Sequence, residues 1–355
     1  MKRVWSILKI SLLVILSVLF LATLISSLTI GVFDRKLLQQ DFYKHQLNEA
    51  NFYERVYTDV LPDLKAIPDY YGGLSVTPQE QDQLIREIMP PAWLQEQVEA
   101  KLDSAIPYLR SDSPELDLTI NLVPIKQNAS TAVLRFVKNK LGSLPDTPAG
   151  QQVDWNQVAA EAAAGKFPSS LPGGAQRQVI EQQVEAAITP YMNQNIDKAP
   201  NEVDLVAEVA ERNDQTRDQF LSDLSSTRDG IDTMIKTGLP VSYLIMAVLL
   251  AAIAAVNWGK LRALLRWVGG TMLFTALPLL VMGLYFLTAG PGLVRHRLEN
   301  ADVQAGIIRL ASDLSTTAIK EVSWAFVIPL IVITALGLIV FVLSFLVGKS
   351  EKKAA

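Results

Sequence analysis

Cysteine is absent from the 355 residues, which excludes both a disulfide framework and a lipoprotein anchor. Histidine is almost as scarce. His45 and His296 are the only two, and neither stands in a His-Glu-x-x-His zinc arrangement. The chain also has no Gly-x-Ser-x-Gly elbow, no phosphate loop and no dinucleotide fingerprint. The common hydrolytic, nucleotide-dependent and zinc-dependent chemistries therefore lack their parts, and we expect no catalytic residue, no cofactor and no metal ligand. Long stretches lack ionisable groups as well. A charge at mid-depth in a membrane is costly and is kept for a function, so its absence argues against a proton-driven pump.

Those uncharged stretches are four: Ile10–Ile30, Leu239–Val256, Val268–Ala289 and Ala325–Val347. Each approaches the roughly 20 apolar residues that cross a hydrocarbon core. The expected fold class is mainly α, a four-helix transmembrane base carrying a large, mostly helical extracytoplasmic domain with a small β element. Residues 1–31 form the N-terminal anchor, 32–238 the extracytoplasmic domain, 239–348 a three-helix membrane region and 349–355 a tail. The first segment could be read as a signal peptide because Lys2 and Arg3 precede it. Its apolar run exceeds the roughly 7–15 residues of a signal core and no small-x-small cleavage pattern follows, which favours an uncleaved anchor.

Positive charge sets the orientation. Lys2, Arg3 and Lys9, then Lys260, Arg262 and Arg266, then Lys349, Lys352 and Lys353 all fall on one side of a four-span chain. That side is expected to be the cytoplasm of a multi-pass plasma-membrane protein, with both termini inside. Trp258, Trp267, Trp324, Tyr243 and Tyr285 fall near span ends, as interfacial aromatics do. Residues 32–239 hold 31 Asp and Glu against 19 Lys and Arg, an excess of 12 negative charges, while the remainder holds 5 against 13. So acidic a domain does not bind nucleic acid by neutralising phosphate.

Within the domain, apolar spacing predicts a helix from Phe33 to about Leu61 that leaves the first span. A capping box at Thr77–Glu80 starts a second, to about Met89. Leu94, Val98, Leu102 and Ile106 mark a third over 92–109. Leu116, Leu118, Ile120 and Leu122 alternate with polar residues as a half-buried strand; its partner is open, with part of 64–76 a weak candidate. A helix over 125–141 follows. Residues 142–174 read as a long Pro/Gly/Ala-rich connection packed by Trp155 and Phe167, and helices over 176–192 and 203–237 lead to the second span. The helices rooted in the first two spans are expected to pair as a stalk. In the loop at 290–324, Leu298, Val303, Ile307, Leu310, Leu314 and Ile319 predict an amphipathic helix under the domain or on the membrane surface, its basic residues meeting the domain's carboxylates.

Pro91, Trp93, Leu94, Tyr108, Leu109, the 116–122 strand and Lys126 form a pattern over 86–126 that resembles uncharacterised bacterial multi-pass membrane proteins with a large extracytoplasmic domain between their first and second transmembrane helices. The resemblance implies an architecture and no established activity. Such proteins often carry cysteines near a Leu-Pro after the next helix; Leu144-Pro145 here has none.

Candidate interaction residues are Trp93, Tyr108, the acidic turn of Asp112, Glu115 and Asp117, and Arg295 and Arg297 beside His296. The turn reads first as a solvated acidic turn and second as an oxygen-ligand site for Ca²⁺. His45 reads as a solvated helix residue and His296 as an interfacial contact. In the spans, Ala247, Ala251 and Ala255 form a small-residue stripe suited to close helix contact, Pro278 and Pro329 are kink sites, and Gly269, Gly270, Gly283 and Gly337 are close-approach points. The first functional expectation is a non-enzymatic protein whose domain binds a protein or envelope component as scaffold, adaptor or sensor. The alternatives are an oligomeric pore or lipid-handling protein and a membrane-bound hydrolase using a carboxylate pair. Expected partners are membrane lipids and either a protein partner or further copies of the chain.

Overall fold

The computed structural model describes residues 2–61, 77–148, 154, 170–299 and 304–350. The chain is dominantly helical with one small two-stranded sheet. Four helical segments are long and apolar enough to cross a membrane: Ile7–Leu37, Arg217–Val256, Leu261–Glu299 and Ala305–Val347. They mark the chain as a membrane protein.

The spans belong to α1 (Lys2–Val32), α10 (Leu239–Val256), α11 (Leu261–Glu299) and α12 (Ala305–Ser350). At 1.5 Å per residue, the 46 residues of α12 extend about 69 Å. A hydrocarbon core is about 30 Å thick, so much of α12 stands clear of it. The helix expected in the loop at 290–324 is present: its described residues continue α11 and α12 as the far end of a helical hairpin, and Asp313 and Glu321 bring α12 against the body, the first of the two expected places, while residues 300–303 lie outside the described residues.

The hairpin closes on glycine. A Cβ at Gly269 would stand 2.5 Å from the Phe341 backbone nitrogen and 2.8 Å from the Gly337 carbonyl oxygen, and one at Gly337 would meet Met272 Cβ at 2.9 Å. Gly283 faces Val327 in the same way, whereas Gly270 faces open space. Against this hairpin lie α1 and α10, packed through Phe20, Leu24 and Leu249. Two hydroxyl pairs pin α1: Ser27 donates to Ser242 at 2.7 Å, and Ser17 and Thr271 share a hydrogen bond at 2.8 Å.

The polar body starts with a π-helical turn at Phe33–Leu37, then α2 (Gln40–Glu49), α3 (Phe52–Arg55) and a second π turn at Val56–Val60. Helices α4 (Pro78–Ile88), α5 (Pro91–Leu109) and α6 (Val123–Ser143) follow, then α7 (Ala175–Lys198), α8 (Leu205–Arg212) and α9 (Arg217–Thr233). The capping box forms as its residues dictate: Glu80 N–H donates to Thr77 Oγ1 and Thr77 N–H to Glu80 Oε2. The body's core includes Val137, Leu141, Leu171 and Ile180, between α6 and α7. Trp155, Phe167 and the 64–76 segment lie outside the described residues.

The strand is shorter than its alternation suggests. Thr119–Asn121 (β1) pairs antiparallel with Glu202–Asp204 (β2), in the register Thr119 to Asp204, Ile120 to Val203 and Asn121 to Glu202. Single hydrogen bonds, Leu122 N–H to the Asn201 carbonyl and Leu205 N–H to the Leu118 carbonyl, extend the pairing at either end. Residues 202–204 are thus strand rather than the start of a helix. The expected stalk is also replaced: beyond the bundle α9 leans on α5, where the Arg228 guanidinium sits 5.1 Å from the Tyr108 ring centre, while α2 lies on α5 and α12.

Asp204 concentrates several of these contacts. Its Oδ1 accepts from the N–H groups of Val206 and Ala207, capping α8, and its Oδ2 takes the Arg217 guanidinium at 2.7 Å. Asp204→Ala is expected to cost about 1–2 kcal/mol, the upper half of the range for a lost N-cap. Urea titration of the full chain in detergent, read by circular dichroism, checks it.

Two carboxyls give the body an acid limit. The Arg217 hydrogen bond, followed by the two helix N–H groups, holds Asp204 below the usual aspartate range. The Lys140 ammonium and the Thr77 N–H bring Glu80 down to about 2. In both cases the folded form binds the proton more weakly than the unfolded form, so stability rises with pH across the interval. The contribution is complete above the unfolded value, 4.5 for Glu80, and is lost as pH falls towards about 2. Both carboxyls are open to solvent, which screens their pairs, so thermal melts should show a small decline that begins below about pH 4.5.

Candidate functional site

The best-defined polar constellation lies where the body meets the bundle. Glu321 is the last ionisable residue of α12 before Lys349, and Asp34, Arg35 and Lys36 are the first after Lys9. Both sets therefore mark a border of the apolar region, and the fold brings them together. Glu321 Oε2 lies 3.2 Å from Lys36 Nζ. Its Oε1 accepts from Gln46 Nε2 at 2.9 Å and lies 3.3 Å from His45 Nε2, which also approaches Glu49 at 3.4 Å. Gln46 is only 4% exposed. The partly exposed Lys36–Glu321 ion pair contributes about 0–1 kcal/mol, whereas a hydrogen bond from a buried amide to a charged carboxylate contributes about 1.5–3 kcal/mol. Gln46 makes the most buried of the three contacts, while its own amide oxygen has no partner among the described residues.

A second contact lies eight residues earlier, about 12 Å along α12. Arg55 Nη1 donates to Asp313 Oδ2 at 2.7 Å, while its Nε donates to Asp59 Oδ2 at 2.8 Å. Arg110, at the end of α5, completes the junction: it donates to the Leu38 carbonyl oxygen and lies 3.6 Å from Asp34. At Asp313 and Glu321 the carboxylates sit on α12 and the cations on the body, opposite to the expected pairing; the expected kind of pairing is also present, because the charge of Arg309 on α12 helps to lower the Asp59 carboxyl.

Directly beside this clamp, among α1, α11 and α12, lies an apolar cavity of about 480 Å³. Ile25 and Leu28 of α1, Leu279 and Phe286 of α11, and Phe326 and Leu330 of α12 form much of its wall. At the opposite end of the bundle Lys260, Arg262, Arg266 and Trp267 surround an open basic hollow, with the Arg266 guanidinium 5.0 Å from the Phe345 ring centre.

The sequence-derived candidates do not converge on one place. Tyr108 is buried under Arg228 as a packing residue, and Trp93 is half-buried with an indole N–H that has no partner among the described residues. Asp112, Glu115 and Asp117 are exposed on the turn before β1. Arg110 holds Asp112 at 3.0 Å; Asp117 accepts the Thr119 N–H, which, with Lys101, lowers its carboxyl from the ordinary value. Among the described residues no group of three or more His, Asp or Glu is placed to hold a metal ion. Arg295 pairs with Glu299 at 2.7 Å, and Arg297 is exposed two residues before the end of α11.

Ala247, Ala251 and Ala255 are exposed, so within one chain α10 packs through Ser242, Leu249 and Ile253 instead. Pro278 and Pro329 lie inside continuous helices. His45 is 55% exposed but stands between two carboxylates rather than simply in solvent. The clamp residues Lys36, Gln46 and Glu321 were not singled out from the sequence. The available signal was positional: each charged partner is the ionisable residue at an apolar border.

Comparison with protein-family models, with curated proteins and with solved structures finds no significant match to this chain. Fold and site together define a helical membrane protein with four candidate spans, whose polar body is clamped to the projecting part of its last helix.

Proposed function

We propose that this chain is a non-enzymatic plasma-membrane protein whose body, residues 32–238, lies outside the cytoplasm and recognises a protein or envelope component as an adaptor or sensor. The observation that carries this reading is the clamp: Glu321 and Asp313 join the body to the same helix that crosses the apolar layer. A body fastened in this way presents one surface in a fixed attitude, and any force on it reaches the last span directly. The orientation rests on Lys9, Lys260, Arg262 and Arg266 at the end of the bundle away from the body. The exposed acidic turn of Asp112, Glu115 and Asp117 is the contact surface in this reading, and its charge calls for a basic partner surface.

The test is native mass spectrometry of the chain taken from its own membrane in mild detergent. The expected result is a monomer or dimer carrying a second polypeptide in fixed ratio, at least tenfold depleted in a variant with Asp112→Lys, Glu115→Lys and Asp117→Lys. A chain that always emerges without another polypeptide, or as a closed ring of copies, overturns the reading.

A further inference from the structure

We infer that the 480 Å³ cavity among α1, α11 and α12 is a binding site for an ester-linked phospholipid, taking one acyl chain towards its deep end and the ester carbonyl beside Thr29 and Ser323. The volume lies within the roughly 300–1,000 Å³ of small-ligand sites. Its walls come from three helices long and apolar enough to span a membrane, and every lining residue except Thr29 and Ser323 is apolar.

The lining is apolar except for two hydroxyls. Leu279 and Leu330 stand at the deep end, and Thr29 and Ser323 lie nearer the clamp, with Ser323 two residues from Glu321 and Ala318 and Ile319 continuing the α12 wall beyond it. Ser323 lies seven residues, about 10 Å, from Leu330 along α12. Ser323 is only 7% exposed, yet among the described residues neither its hydroxyl nor that of Thr29 meets a hydrogen-bond partner. Thr23, Ser26 and Thr275 bond a carbonyl one turn back, whereas Thr334 and Ser344 of α12 also lack a partner among the described residues; Thr29 and Ser323 differ from those two in lining the cavity.

Two hydroxyls without a partner in the clamp-side half of an otherwise apolar cavity suit an acceptor with a long hydrocarbon tail running to the deep end. An acyl ester in a phospholipid has that form, and its headgroup then falls beside Lys36, His45 and Glu321. A side chain from a second copy fills apolar space but leaves both donors without an acceptor, which costs free energy in a non-aqueous site. This inference goes beyond the proposed recognition function and does not depend on it.

The test uses the full chain in detergent, loaded with either a diester phosphatidylglycerol or the diether analogue of equal chain length, and read by native mass spectrometry. The expected result is one retained diester lipid per chain, favoured about fivefold over the diether, roughly what one hydrogen bond is worth. The preference disappears in Thr29→Val with Ser323→Ala. Ala318→Phe, which fills the cavity from α12, abolishes retention while circular dichroism shows full helicity. Leu279→Phe fills it from α11 and keeps the test decisive should the first variant misfold. A lipid-free wild type, equal retention of ester and ether, retention unchanged by both filling variants, or copies associating through the cavity would each overturn the inference.

Discussion

Gly269→Val is expected to separate α11 from α12 and to destabilise the bundle by about 3 kcal/mol, the upper end of the usual overpacking cost. Even the first carbon added at this position would overlap the Phe341 backbone nitrogen at 2.5 Å and the Gly337 carbonyl at 2.8 Å. Backbone cannot move aside as a flexible side chain does, so relief requires the helices to part, and dispersion contacts along the hairpin weaken together. Gly270→Val is the matched control, because a Cβ there meets nothing within 4 Å. Gly337→Val should resemble Gly269→Val. The two glycines share one crossing, so the double variant should cost less than the sum. Unfolding by sodium dodecyl sulfate in mixed micelles, followed by tryptophan fluorescence, measures all four proteins.

The second large effect belongs to the body. Leu171→Ala is expected to cost about 2–5 kcal/mol, the range for truncating a buried leucine where the surroundings cannot collapse. Leu171 has no exposed surface and packs with Val137, Leu141 and Ile180. Its backbone is fixed on both sides, since its N–H donates to the Pro145 carbonyl and its carbonyl accepts from Thr147. That pairing restricts inward relaxation and favours a persisting cavity. Urea midpoints in detergent should fall without a change in slope. Leu171→Met, close in volume, should recover most of the loss.

These two sites show which kinds of information the amino-acid order carries openly. Uninterrupted apolar runs announce the four candidate spans because spanning depends on local composition alone. Helix α4 was equally legible, since its cap needs only Thr77, Pro78 and Glu80 in succession, and α5 ended at Leu109 as its apolar face predicts. What escaped depends on partners distant in the chain. Three-residue β2 carries no alternation, and its pairing with β1 joins segments about eighty residues apart. Leu171 stands in a stretch rich in Pro, Gly and Ala that reads as a surface excursion, and only the fold buries it.

The junction was hidden for a related reason. Arg295, Arg309, Asp313 and Glu321 read together as a mixed-charge loop, whereas a continuous α12 sends Asp313 and Glu321 to separate contacts on the body. Apolar spacing predicts a helix under the domain or on the membrane surface, and the contacts of Asp313 and Glu321 with the body fit the first of these.

The absence of cysteine allows the central claim to be tested with introduced labels only. Spin labels at Ala100 on α5 and Val332 on α12, both exposed, report the separation of body and spanning helix by double electron–electron resonance. The account predicts one narrow distance distribution in the labelled wild type and a broad one when Glu321→Ala and Asp313→Ala are combined. A wild-type distribution already broad, or one that the double substitution leaves unchanged, would contradict the clamp.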